Sequence, residues 1–281
     1  MRRRPRKRTD PVPLKISDLD ETQAPLLDHL VELRARLVRC VLALVIAFGV
    51  CFYFADDILG FLIQPLKGAF PDGEGQLIFT KLYEVFFVEM KVALFAGFFV
   101  SFPIIANQLW AFIAPGLYAK EKRAFLPFLV ATPLLFTAGG ALAYYVVMPT
   151  AFRWFLGFQG EAGGLKIEAL PAANEYLGLV MQFILAFGIS FLLPVLLMLL
   201  NRAGLVSRAQ LAGARRYVIV GVFALSAIIT PPDPGSQLLL AIPLLLLFEG
   251  SLFLMRITEK REAKEKAAAE AKEQADEVPL A

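Results

Sequence analysis

The chain has 281 residues, of which 58% are hydrophobic and only 19% charged, with a mean hydropathy of +0.63. Soluble domains run at about 45–50% apolar and about 25% charged, so in water this chain would expose large apolar patches, and its expected solvent is lipid. One His and two Cys exclude a Cys/His zinc module and a disulfide framework, while the net charge of +3 is small but unevenly placed.

Residues 1–24 open on Arg2-Arg3-Arg4-Pro5-Arg6-Lys7-Arg8 and read as a basic, disordered arm suited to enforcing topology or touching anionic headgroups. The first apolar run begins far from the N-terminus and lacks a small-residue cleavage site, so no cleavable signal peptide is expected. Leu26, Leu30, Leu33 and Leu37 then recur at helical spacing. Pro25 suits a first helical position. The reading is an amphipathic helix from Pro25 to Arg39 lying near the interface and leading into the first span.

A bilayer core of about 30 Å needs roughly 20 apolar residues as a helix. Six runs qualify or nearly do: Val38–Ala55, Met90–Ile113, Ala124–Met148, Leu177–Leu200, the short Tyr217–Thr230, and Leu238–Met255, interrupted by Glu249. Exposed backbone is not tolerated in hydrocarbon, so all six are expected to be helices. The alternation of a membrane barrel is absent. Cys40 and Cys51 fall on the first span about 16 Å apart at 1.5 Å per residue, too far to pair.

Between the first two runs, Asp56–Glu84 reads as a short amphipathic helix (Ile58, Leu59, Phe61, Leu62), a break at Pro65, a Gly/Asp loop and a second amphipathic start. The Gly-rich stretch Pro149–Glu175 is expected to pack over it, forming an outer cap. Segments 1–39, 114–123, 201–216 and the tail from Arg256 hold 23 of the 28 Lys and Arg residues. The positive-inside rule then puts both termini in the cytoplasm. The expected fold is all-α: a six-helix membrane domain over 25–255, kinked at Pro103, Pro127, Pro133, Pro194 and Pro243, and a charged cytoplasmic tail over 256–281.

Catalytic signatures are missing. No glycine stretch ends in Gly-Lys-Ser/Thr. His29 with Glu32 is H-x-x-E, without the second His of a zinc protease. No G-x-S-x-G precedes a helix. A small-solute carrier would need repeated halves around a midplane site, and no such repeat is seen.

Three stretches are specific. They are His29-Leu30-Val31-Glu32-Leu33-Arg34-Ala35-Arg36-Leu37; Gln108-Leu109-Trp110-Ala111-Phe112-Ile113-Ala114-Pro115-Gly116-Leu117-Tyr118-Ala119-Lys120-Glu121-Lys122-Arg123; and Thr230-Pro231-Pro232-Asp233 followed by Gln237. Over about residues 25–255 the chain resembles the TatC family, the multispanning subunit of the twin-arginine protein translocase. The resemblance implies a receptor for twin-arginine signal peptides in the bacterial cytoplasmic (inner) membrane. It would work with TatA-like and TatB-like single-span proteins, as a multimer with TatB, and move folded proteins on the proton-motive force. No cofactor, nucleic acid or covalent chemistry is implied.

Two family glutamates that bind the arginine pair map to Glu32 and Glu121, with Phe112 and Arg34 as further signal-peptide contacts. A guanidinium fork matches a carboxylate in bidentate geometry, so two carboxylates suit two adjacent arginines. From the residues alone, Glu32 is equally an i,i+4 partner of Arg36. Trp110 reads as an interfacial anchor. Thr230, Asp233, Gln237 and Glu249 are the expected partner-helix contacts, with Val222 and Leu239 expected beside a partner. The family often carries a glutamate in the fourth span, two residues before a proline. Here that position is Leu192, a departure, and Gln182, ten residues earlier in the span, could serve a similar hydration role.

Overall fold

The computed structural model describes residues 16–70, 75–117, 122–202, 204–230 and 234–276. Its architecture is helical: α1 (Ile16–Tyr53), α2 (Ala55–Lys67), α3 (Glu84–Leu117), α4 (Lys122–Leu142), α5 (Met148–Leu156), α6 (Ala173–Ser190), α7 (Leu193–Arg202), α8 (Arg208–Gly213), α9 (Arg215–Ile229) and α10 (Pro234–Asp276). A π-helical turn, Ala143–Val147, joins α4 to α5. Two three-residue strands, β1 (Gly160–Ala162) and β2 (Leu165–Ile167), form an antiparallel hairpin turned by Gly163 and Gly164, both at positive φ, where glycine carries no steric penalty. Among the described residues this hairpin and one isolated bridge are the departures from an all-helical fold.

Five stretches are long and apolar enough to cross a membrane: Leu30–Tyr53, Glu84–Phe112, Phe128–Leu156, Ala173–Arg202 and Pro234–Arg261. They match five of the six expected runs. The sixth, α9, has 15 residues, about 22 Å at 1.5 Å per residue, which falls short of a full crossing.

Helix α1 starts at Ile16, nine residues before the expected start at Pro25, and continues without interruption into the span. The change from amphipathic to fully apolar pattern marks a change of surroundings, not a helix end, because no capping glycine separates the two parts. Likewise α2 runs on through Pro65 and stops at Gly68. The helices also run on through Pro103, Pro127, Pro133 and Pro243. Only at Pro194 does a span break, with Phe191 and Leu192 in a turn between α6 and α7.

Small residues set the closest helix crossings. A Cβ on Gly139 of α4 would lie 2.5 Å from the Phe187 carbonyl oxygen of α6, and one on Gly97 of α3 would lie 2.9 Å from the Phe48 backbone of α1. Neither position admits a side chain without separating the helices, which is how membrane helices gain packing without a hydrophobic driving force between them. Around these crossings lies an aromatic core. Phe136 is fully buried and stacks on Phe102 at 3.6 Å between centroids.

The connecting segments are tied together at one end of the bundle. Ile78 pairs with Ala172 in a parallel bridge, its N–H donating to the Pro171 carbonyl and its carbonyl accepting from Ala173 N–H. Glu84, at the first turn of α3, is 7% exposed. Its Oε2 accepts from the Thr80 N–H and hydroxyl, each at 2.8 Å, and from Lys81 N–H at 3.1 Å. Its Oε1 accepts from Asn174 N–H at 3.3 Å. One carboxylate thus joins the α2–α3 connection to the start of α6. The expectation that the two long loops pack together is met by these bonds.

Helix α2 is held by two tyrosines. Pro65 has no N–H, so the Phe61 carbonyl four residues earlier lacks its helical donor. The Tyr144 hydroxyl supplies one at 2.6 Å, and the two rings stack at 4.4 Å. The Tyr176 hydroxyl donates to the next carbonyl, Leu62, at 2.8 Å.

Candidate signal-peptide and partner-helix sites

Glu32 lies on the exposed early part of α1. Arg36, one turn on, donates from both Nε (3.0 Å) and Nη2 (2.5 Å) to the same oxygen, Oε1. The Arg36 side chain is 19% exposed and the Glu32 side chain 39%, so the guanidinium is tucked along the helix and the carboxylate faces outward. This is the i,i+4 pair that the spacing allowed, in the favourable order with the acid N-terminal. Arg34, two residues from Glu32, is exposed and lies about 200° around the helix at 100° per residue. The structure therefore does not gather Arg34 with Glu32.

The second motif is carried by the end of α3. Trp110 is 7% exposed and sits in a cluster with Phe128, Val195 and Leu199. Its indole N–H donates to Thr132 Oγ1 at 2.7 Å, and that hydroxyl donates to the Phe128 carbonyl at 2.7 Å. Trp110 is thus a buried pin between α3 and α4, which corrects the anchor reading: a buried indole N–H finds an internal partner rather than a headgroup. Phe112 is half-buried. Glu121 and Asp233 lie outside the described residues.

Helices α8 and α9 run antiparallel to α10, and three polar contacts mark the pairing. Gln237 Nε2 donates to the Phe223 carbonyl at 3.1 Å. Arg215 pairs with Glu249 at 2.8 Å. Arg208 pairs with Glu259 at 2.8 Å. Thr230 is buried, with its hydroxyl donating to the Ser226 carbonyl. Three of the expected partner contacts, Thr230, Gln237 and Glu249, therefore already bond within the chain. Glu249 sits opposite the start of α9 beside a cation, so it is not an isolated intramembrane charge. Val222 is buried in the main core cluster, which corrects its expected outward placement. The large outward side chains of this pair include Val220, Ile228 and Leu246.

In the fourth run, Gln182 lies on the exposed face of α6. Leu192 sits elsewhere, in the turn before α7, packed against the cluster of Phe102, Ala106 and Phe136. The two positions do not share an environment. Residues that the sequence did not single out are Glu84 and the Tyr144–Tyr176 pair. An acidic residue in the first turn of an apolar helix is the signal that points to the first. Pro65 in an amphipathic helix points to the second, because it orphans a carbonyl. Among the described residues no cluster of His, Cys, Asp and Glu is suited to a metal ion, and both cysteines are free.

The family profile described as "Sec-independent protein translocase protein (TatC)" matches residues 28–243. The chain is 49% identical over 256 residues to the Sec-independent protein translocase protein TatC of Magnetococcus marinus, covering 91% of this chain and 93% of that one. It is 41% identical to the TatC of Escherichia coli, covering 85% and 90%. A crystal structure titled as the twin arginine translocase receptor TatC superposes with a TM-score of 0.72 at 41% identity, covering 82% of this chain and 98% of the other. With matching sequence over most of its length and a matching helical fold, this chain belongs to the TatC family of Sec-independent protein translocases.

Proposed function

We propose that the chain is the signal-peptide receptor and core subunit of a twin-arginine translocase, binding the paired arginines of a signal peptide with Glu32 and Glu121. The observation that carries this reading is the state of Glu32. Its carboxylate is outward-facing and already holds a guanidinium through two N–H donors. The chemistry required of a receptor for arginine is thus present on α1. The second family motif supplies Glu121 beyond the end of α3, with Phe112 at the helix's last turns. Two carboxylates would read two adjacent arginines, and an ammonium would fill neither fork.

In this reading the protein lies in the cytoplasmic (inner) membrane with six crossings and both termini in the cytoplasm, where the Lys- and Arg-rich segments collect. Helix α9 is the fifth of these crossings in chain order. Its length of about 22 Å against about 30 Å of hydrocarbon thins the bilayer locally, a mismatch that helix association relieves. The bridged connections around Ile78, Glu84 and Ala172 form the outer cap. TatA-like and TatB-like single-span helices gather beside α9 and α10 on the face of Val220, Ile228 and Leu246, and the working complex is a multimer with TatB. Transport draws on the proton-motive force and uses no cofactor.

A photo-crosslinker at position 120 or 122, flanking Glu121, tests the assignment in membranes. A twin-arginine precursor should crosslink through the residues next to its arginine pair, and a twin-lysine precursor should not. Equal crosslinking of both precursors, or of neither, would move the receptor site away from the second motif.

A further inference from the structure

Glu32 is not an empty receptor group. Both donors of the Arg36 edge, Nε and Nη2, converge on Oε1 at 3.0 and 2.5 Å. A bidentate guanidinium–carboxylate pair uses both carboxylate oxygens, one per N–H. A peptide arginine that docks in this geometry therefore needs the oxygen Arg36 holds. An ammonium makes a single point contact and has no such requirement. The burial pattern fits the same picture, with the Arg36 side chain the more covered of the two and the carboxylate the more open. Arg34 and Arg39 are exposed and make no comparable contact with Glu32 among the described residues.

We propose that Arg36 is an internal stand-in for the peptide arginine, occupying the Glu32 carboxylate until a signal peptide displaces it, and so determines how tightly and how reversibly the receptor takes guanidinium. This rests on the reading of Glu32 as a receptor carboxylate. A transporting receptor must release its cargo, and an intramolecular competitor one turn away rebinds the carboxylate as the peptide leaves. The apparent affinity of a site that is open for only a fraction of the time falls by that fraction. An i,i+4 pair in this order is modestly populated over its open form, so relieving it should tighten peptide binding by roughly two- to threefold.

The test uses the full chain in detergent with a fluorescent twin-arginine peptide and its twin-lysine counterpart. Arg36→Gln removes the competing charge. Arg36→Lys keeps a cation that cannot form the fork, and Glu32→Gln removes the site. The melting temperature of each variant is read in the same detergent. The expected result is twin-arginine binding roughly two- to threefold tighter in Arg36→Gln, with slower dissociation. Arg36→Lys should fall in between, and twin-lysine binding should change less than twofold. If Arg36→Gln instead weakens both peptides and Arg36→Lys restores them, Arg36 positions Glu32 and the stand-in idea is overturned. Unchanged twin-arginine affinity in Arg36→Gln, with Glu32→Gln still defective, overturns it alone. Unchanged binding in Glu32→Gln would overturn the receptor assignment of Glu32 and this inference with it.

Discussion

Pro65 and Tyr144 form a compensated pair whose energy is measurable. The proline leaves the Phe61 carbonyl without its helical donor, and the Tyr144 hydroxyl supplies one at 2.6 Å from a side chain that is 7% exposed. Tyr144→Phe removes that donor but keeps the ring stacked on Phe61. The change then isolates one hydrogen bond. Such bonds average about 0.6 kcal/mol inside membrane proteins, and an orphaned buried carbonyl costs about 1–3 kcal/mol. Because Pro65 removes the helical donor of the Phe61 carbonyl and Phe61 itself is half-exposed, the cost should fall between these figures, at about 1–2 kcal/mol. At about 2–4 °C per kcal/mol for a chain of this size class, the melting temperature should drop by several degrees. The decisive arm is Pro65→Ala, which restores the N–H four residues after Phe61. In that background Tyr144→Phe should lose at least half of its effect, a coupling that a double-mutant cycle resolves. Thermal unfolding of the four variants in one detergent measures it. An equal cost of Tyr144→Phe with and without Pro65 would refute the compensation argument.

Gly139→Ala should destabilise the bundle by about 1–3 kcal/mol, since its Cβ meets a backbone oxygen, whereas Gly178→Ala, with nothing within 4 Å, should be neutral or stabilising by up to about 1 kcal/mol; unfolding midpoints of both variants compare the two. Exchanging the charges of Arg215 and Glu249 should recover most of the stability lost in either single reversal, with a coupling of about 0.2–1 kcal/mol because both side chains are half-exposed; a cycle of melting temperatures reads the coupling. Gln182→Leu should leave signal-peptide binding unchanged, because the residue faces outward on α6; a loss of export in that variant would place its role in contacts with a partner helix. Cysteines at Ile228 and Leu246 should crosslink to a single-span partner in membranes more readily than one at Val222, which is buried.

Span positions were legible because about 20 apolar residues in a row have few structural alternatives. The extra turns were not. The amphipathic helix leading into the first span is legible from its leucine stripe, but Pro25 suggests a start that the backbone, helical from Ile16, does not observe. The Pro65 break was inferred from the missing N–H alone; Tyr144, 79 residues later in sequence, repairs it, and no local pattern announces such a contact. Trp110 was read by its place near a span end, where aromatics often meet headgroups, but its indole N–H found Thr132 on the neighbouring helix. At the receptor site the sequence held both answers at once. The spacing Glu32–Arg36 allows an internal pair, the motif implies a peptide contact, and the structure shows the internal pair occupying the group that the motif assigns to the peptide.

The central claim is that two carboxylates, Glu32 and Glu121, grip one pair of arginines. Its most direct test is equilibrium binding of a twin-arginine peptide to the full chain in detergent, at two salt concentrations, for wild type, Glu32→Gln, Glu121→Gln and the double variant. A hydrogen bond to a charged group contributes about 1.5–3 kcal/mol, so each single variant should bind roughly ten- to a hundredfold more weakly. The double variant should lose less than the product of the two, because both groups act on one dipeptide. Wild type should prefer twin arginine over twin lysine, and each variant should prefer it less. If Glu121→Gln binds both peptides as wild type does while export is still lost, Glu121 is not a receptor carboxylate and the account of the site is wrong.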